Sequence, residues 1–188
     1  MKFLLVLTCV LLVAGGGLQG QAVERKHPKH KKHHVKVKHV QNCKKQKESI
    51  SSIRENVWKL QSLMAEPKIP SAFHERWAVS CNYVHWIARK WQHHLADTVK
   101  RFHFPPRLSA WLCIHKYEGS WTDPNSPYYG GLQMDYSFQN TYGKNLLRQK
   151  GTADHWTPLE QIWVAERAYK SGRGFYPWPN TARMCGLI

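Results

Sequence analysis

One carboxylate stands apart in this sequence. In CIHKYEGSW, residues 113–121, Glu118 closes an apolar, cysteine-bearing stretch and Gly119 follows at once. Leu108, Trp111, Leu112 and His115 recur at helical spacing, and Glu118 falls on the same side as His115. Gly119 is a natural helix stop. The spacing predicts a short helix from about Pro106 to Glu118, with the carboxyl at its inner C-terminal face. Apolar neighbours desolvate a charge, and the negative end of a helix dipole disfavours an anion. Both favour the protonated carboxyl that a general acid needs near neutral pH.

Other polar groups follow in WTDPNSPYYGGLQM, residues 121–134. Asp-Pro and Ser-Pro steps favour turns, and Gly130-Gly131 permits a tight backbone or close approach by a ligand. Tyr128 and Tyr129 offer flat faces to a sugar, or pack. Asp135 is either a groove residue or the N-cap of a helical stretch near Tyr136–Tyr142. A loop is expected over Gly151–His155. Thr157-Pro158-Leu159-Glu160 then reads as a capping box with proline in the first turn. Leu159, Ile162, Trp163 and Tyr169 form the apolar side of the helix it opens. The closing RGFYPWPNTARMCGLI reads as loop.

The elements that must position these groups come earlier. The chain of 188 residues opens with Lys2, a short apolar run from Phe3 to Ala14 and small residues up to Ala22. That is the pattern of a secretory signal peptide over residues 1–22. The run is shorter than the roughly 20 residues that span a bilayer. Export and an extracellular or wall-associated location are therefore expected. Residues 23–47 form a Lys/His-rich basic segment that supplies much of the net charge of +16. Like-charge repulsion and few apolar residues predict disorder over most of it. Such charge attracts polyanions, and outside a cell these include anionic wall polymers. His27, His30, His33 and His34 invite a metal, but the adjacent lysines oppose a cation.

Residues 48–104 predict two helices. Ile50, Ile53, Val57, Leu60 and Met64 mark the first, with Cys43 extending its stripe backwards. Trp77, Cys81, Val84, Trp91 and Leu95 mark the second. Pro67 and Pro70 between them suggest an antiparallel hairpin. Phe104-Pro105-Pro106 closes this region, and residues 105–188 form a separate domain rich in Trp, Tyr and Gly. Of five cysteines, Cys9 lies in the signal peptide, which leaves Cys43, Cys81, Cys113 and Cys185. An even set in an exported chain implies two disulfides, with three possible pairings. A Cys113–Cys185 bridge would close a large loop and add about 4 kcal/mol in the chain-entropy model. In a strict hairpin Cys43 and Cys81 would be too far apart along the axis, so their pairing stays open.

YEGSW, YYGGLQM, DHWTPLEQIWVAERAYKSGRG and PWPNTARMCG occur in an order and spacing that resemble the transglycosylase-like catalytic domain of the resuscitation-promoting factors. That domain belongs to the lysozyme-like superfamily, and the likeness covers about residues 107–188. It implies a mainly α fold with minimal β and a groove for a glycan strand. It implies cleavage of the β-1,4 bond between N-acetylmuramic acid and N-acetylglucosamine in peptidoglycan. Glu118 matches the family's general acid, and Gln133 and Gln161 match groove glutamines. Tyr129 and Asp135 are expected to help hold the glycan. Phe138-Gln139 departs from the family's hydroxyl-plus-Trp pair, and Cys113 stands five residues before the Glu.

Glycosidic cleavage usually uses two carboxylates. Asp123, Asp135, Asp154, Glu160 and Glu166 are the others in the domain. One suffices where the substrate's 2-acetamido group assists. The expectation is a muralytic glycosidase acting as a monomer, with no cofactor or metal and no specific nucleic-acid partner. Two other classes fit the same residues: an inactive wall-binding or structural module, and a cationic antimicrobial protein.

Overall fold

The computed structural model describes residues 32–71 and 80–188. The expected signal peptide, the basic segment up to Lys31 and Trp77 lie outside the described residues. The fold is mainly helical, with one two-stranded sheet. Helix α1 spans Lys32–Met64 and α2 spans Cys81–His103. Then come α3 (Leu108–Glu118), β1 (Tyr128–Tyr129), β2 (Met134–Asp135), α4 (Tyr136–Tyr142) and α5 (Lys144–Lys150). Helices α6 (Pro158–Ala168) and α7 (Pro179–Met184) complete the chain. No helix among the described residues is long and apolar enough to cross a membrane.

Two expectations about the N-terminal half are corrected. Residues 32–47 are helical, not disordered, because they continue the first turns of α1. The two long helices also lie parallel, not as an antiparallel hairpin. Cys43 bonds Cys81, Gln46 meets His85, Trp58 meets Trp91 edge-on at 6.2 Å, and Glu66 pairs with Arg101. The offset between partners stays nearly constant, as only parallel neighbours allow.

The reason lies in the connection. Helix α1 ends in a Schellman-type turn, with Ala65 at φ 54 and bonds from Ala65 N–H to Ser62 O and from Glu66 N–H to Gln61 O. The chain then runs back along α1. Buried Gln61 donates to Pro67 O and accepts from Ile69 N–H, and Trp58 Nε1 donates to Ile69 O. Cys43 to Met64 rises about 32 Å at 1.5 Å per residue. The connecting residues 65–80 reach roughly 50 Å when extended, enough to return to the start. This brings Cys81 beside Cys43, with Cα atoms 5.6 Å apart, and settles the open pairing. Ile50, Val57, Val84, Ile87 and Trp91 fill the seam.

The second core is separate and aromatic. Trp111, Ile114, Leu132, Met134, Phe138, Trp156, Ile162 and Trp178 are buried in it. Trp111 packs against Phe175 and Trp178 with ring centres 5.0 and 5.1 Å apart. Trp178 is fixed further by its Nε1 donating to Leu132 O. Helix α6 joins the two halves. Trp163 stacks on Phe102 and donates to Phe102 O, and Arg167 donates to Leu63 O at 2.7 Å and to Tyr142 O. Burial pushes the Arg167 guanidinium below its ordinary pKa. The helical pair is thus packed against the back of the C-terminal domain.

Candidate functional site

Helix α3 delivers Glu118 as expected, but not through all the expected residues. Trp111 and Ile114 are its buried positions, and Leu112 faces outward at 47% exposure. Glu118 follows Ile114 by one turn and is half-buried. The Cys113–Cys185 disulfide forms, with Cα atoms 6.0 Å apart, and ties α3 to the end of α7. That brings Thr181 of α7 beside the acid, and its hydroxyl donates to Glu118 Oε1 at 2.7 Å.

Gly119 has φ 172, so it is extended and no left-handed conformation selects glycine here. Space does. A β-carbon on Gly119 would stand 3.0 Å from Gln133 Nε2 and 3.3 Å from Asp123 Oδ2. Glycine lets an amide and a second carboxylate settle against the backbone next to Glu118. Gln133 Nε2 donates to Asp123 Oδ2 and to Gly130 O, both at 2.9 Å. Asp123 Oδ1 accepts from the Asn125 backbone N–H and side-chain amide. Gln133 itself adopts φ 47. A left-handed non-glycine residue costs about 1–2 kcal/mol, and such strain concentrates at functional positions.

The YYGGLQM motif builds a small antiparallel hairpin in which Tyr128 faces Asp135 and Tyr129 faces Met134. Its turn is gripped from beneath. A β-carbon on Gly130 would come within 2.6 Å of Gln161 Oε1, and one on Gly131 within 2.5 Å of the Trp121 ring. Trp121 stacks on His115 at 3.8 Å, and His115 Nδ1 donates to Gly131 O. The Trp of YEGSW and the glycines of YYGG are therefore two sides of one contact.

Beside the hairpin lies a cleft of about 230 Å³, lined by Tyr128, Gln133, Asp135, Ser137, Phe138 and Arg173 among others. Asp135 lines the cleft and caps α4 by accepting from Phe138 N–H at 2.6 Å. Two of the residues expected to hold the glycan do not line this cleft. Tyr129 is half-buried and packs against the core, while Tyr128, 51% exposed, faces the cleft. Strand neighbours point to opposite sides, so only one of the pair reaches each face. Gln161 is fully buried. It accepts from Gly131 N–H and donates to Trp121 O and Ala153 O, all at 2.8 Å, and to Trp156 O at 3.1 Å. It sits behind the cleft wall and holds the hairpin turn in place.

The remaining acids are engaged elsewhere. Glu160 closes the capping box with Thr157 and binds Lys150 at 2.7 Å. Burial raises its pKa, but the Lys150 ammonium and the Thr157 hydrogen bonds outweigh this and hold it below the ordinary value. Glu166 is fully buried and salt-bridged: it meets Arg107 at 2.7 Å and Trp111 Nε1 at 2.8 Å. Asp154 pairs with His155. Asp123 is the site residue whose role sequence did not reveal; only its contact with Gln133 marks it. Among the described residues no three His, Cys, Asp or Glu side chains come together to hold a metal.

The site thus presents one anchored carboxyl at a helix end, an amide and a second carboxylate against the glycine that follows it, and a polar cleft that the amide lines. No family model, curated protein or solved structure matches the chain. The two disulfides fit an oxidising compartment.

Proposed function

We propose that the protein is a secreted glycosidase acting on peptidoglycan-type glycan strands, with Glu118 as its general acid. The observation that carries this is the setting of Glu118. Thr181 fixes one of its oxygens, and Gln133, which lines the cleft, packs with Asp123 against the next residue, Gly119. The likeness to the transglycosylase-like, lysozyme-like domain supports the same assignment.

In this reading Glu118 gives its proton to the glycosidic oxygen as the bond to C1 breaks. The leaving sugar departs with a new hydroxyl, and Glu118 remains as carboxylate. Positive charge at C1 is met by the sugar's own 2-acetamido oxygen, as in substrate-assisted glycosidases. Asp123, held by Gln133 and Asn125, is the second carboxylate near Gly119. A hydroxyl then adds to C1 and returns its proton to Glu118. If it comes from water the product is a reducing end. If it is the C6 hydroxyl of the same sugar the product is a 1,6-anhydro end. Exposed Lys44, Lys45 and Lys47 on α1 continue the basic segment, which holds the enzyme to anionic wall polymers.

The test is to incubate the full protein and its Glu118→Gln variant with purified peptidoglycan and identify released fragments by mass spectrometry. Release by the unsubstituted protein alone is expected, with a loss of at least about 100-fold in the variant. Anhydro or reducing ends distinguish the two products. No release from either protein, with both sedimenting on the wall, would establish a binding module instead.

A further inference from the structure

We infer that Arg173 recognises a carboxylate on the substrate and selects acidic glycan strands over neutral ones. The inference rests on the glycan-groove reading above and adds a specificity residue that the four motifs do not assign.

Arg173 is presented to the cleft by an unusual piece of backbone. After Ala168 the chain widens into a π turn over Tyr169–Arg173. Gly172 has φ 97 and Gly174 has φ 54, so left-handed glycines stand on both sides of one arginine. A β-carbon at either glycine would meet nothing within 4 Å. Crowding does not select glycine here; the backbone angles do, because L side chains are strained in that region. The result of the turn is that Arg173 lines the cleft with Tyr128, Gln133 and Asp135.

Several other arginines already have partners within the fold. Arg107 binds Glu166, Arg101 binds Glu66, and Arg167 caps the carbonyls of Leu63 and Tyr142. Arg173 is exposed and, among the described residues, has no ion-pair partner. Asp135 shares its cleft but commits Oδ1 to the N-terminus of α4. A guanidinium so placed matches a carboxylate through two parallel hydrogen bonds. On a β-1,4 amino-sugar strand the nearest such group is carried by the lactyl ether of muramic acid. It is either the lactyl carboxylate itself, on a peptide-free strand, or a carboxylate of the attached peptide. A polymer of N-acetylglucosamine carries neither.

The experiment compares the full protein with its Arg173→Gln and Arg173→Lys variants on three substrates. These are peptide-bearing muramyl strands, peptide-stripped muramyl strands and chito-oligosaccharides. Binding is measured in the Glu118→Gln background, and turnover with Glu118 intact. Arg173→Gln is expected to raise Kd and KM for acidic strands roughly 10- to 100-fold, the range of one charge-assisted pair. It should leave kcat and the response to chito-oligosaccharides unchanged, and Arg173→Lys should recover part of the loss. An effect confined to stripped strands identifies the lactyl carboxylate, and one confined to peptide-bearing strands identifies the peptide. Equal effects on acidic and neutral substrates, or none, would overturn the assignment even if turnover is intact. Arginine-dependent binding without turnover would retain Arg173 and refute the glycosidase.

Discussion

Gln161 decides between two views of the same residue. As a groove contact it would touch the glycan, and removing it would weaken binding with little effect on folding. As the structure has it, the side chain is fully buried and joins the hairpin turn to the loops at Trp121 and Trp156. Gln161→Met keeps the length and removes every hydrogen bond. Ala153 O retains a bond from Trp156 N–H, but Gly131 N–H, Trp121 O and Trp156 O lose their Gln161 partner. Each buried group left unsatisfied costs about 1–3 kcal/mol, so the variant should lose roughly 3–9 kcal/mol. That is a large share of the roughly 5–15 kcal/mol typical of a domain. Urea unfolding followed by circular dichroism at 222 nm measures it directly. A loss under about 0.5 kcal/mol, together with weakened glycan binding, would refute the placement and return Gln161 to the groove surface.

Two further outcomes follow from buried charge. Glu166→Gln leaves Arg107 facing a neutral amide and should cost about 3 kcal/mol, the lower end for a broken buried pair because Arg107 is 28% exposed at its side chain; urea unfolding reads the change, and a cost near zero would contradict a buried pair. Glu160 has a depressed folded-state pKa, so its contribution is fully present above the ordinary value of 4.5 and is lost as pH falls below it. The Tm gap between the unsubstituted protein and Glu160→Gln, which keeps the capping geometry, should therefore narrow as pH drops below about 4.5; a gap constant down to pH 3 would contradict the depressed value.

What sequence made legible was local. The helix ending at Glu118, the capping box at Thr157 and the N-cap at Asp135 each depend on residues within a few positions, and each is present. Helix α5 falls between the helical stretch near Tyr136–Tyr142 and the loop at Gly151, and its seven residues are too short for a clear period. Helix α7 lay within a proline-rich tail read as loop, although Pro179 opens it in the first turn. The direction of α2 is not legible in the sequence because proline between two helices signals a turn but not its course. Gln61 and Trp58, which bind the returning chain, decide that course, and their partners lie in the connector itself. The resemblance places Gln161 in the groove, and helical spacing alone does not tell the buried, salt-bridged Glu166 from an exposed one. Only the neighbours that satisfy them show otherwise.

Those same residues explain why the site holds its shape. Helix α6 is buried on nearly every side, a pattern usually met by an apolar helix. Instead it carries Gln161 toward the hairpin and Glu166 toward α3. Through Gly131, Gln161 sets the height of the turn that bears Gln133. Through Arg107 and Trp111, Glu166 sets the start and first turns of the helix that bears Glu118. The spacing between acid and amide is thus measured from one helix along two chains of hydrogen bonds. Apolar packing alone tolerates small slides, whereas a satisfied buried polar network admits few arrangements. The helical pair docks on the outer side of α6 through Trp163 and Arg167, and it completes the burial that gives this network its strength. Among the described residues, the N-terminal half therefore supports the site without touching it, by keeping water away from the helix on which both measurements depend.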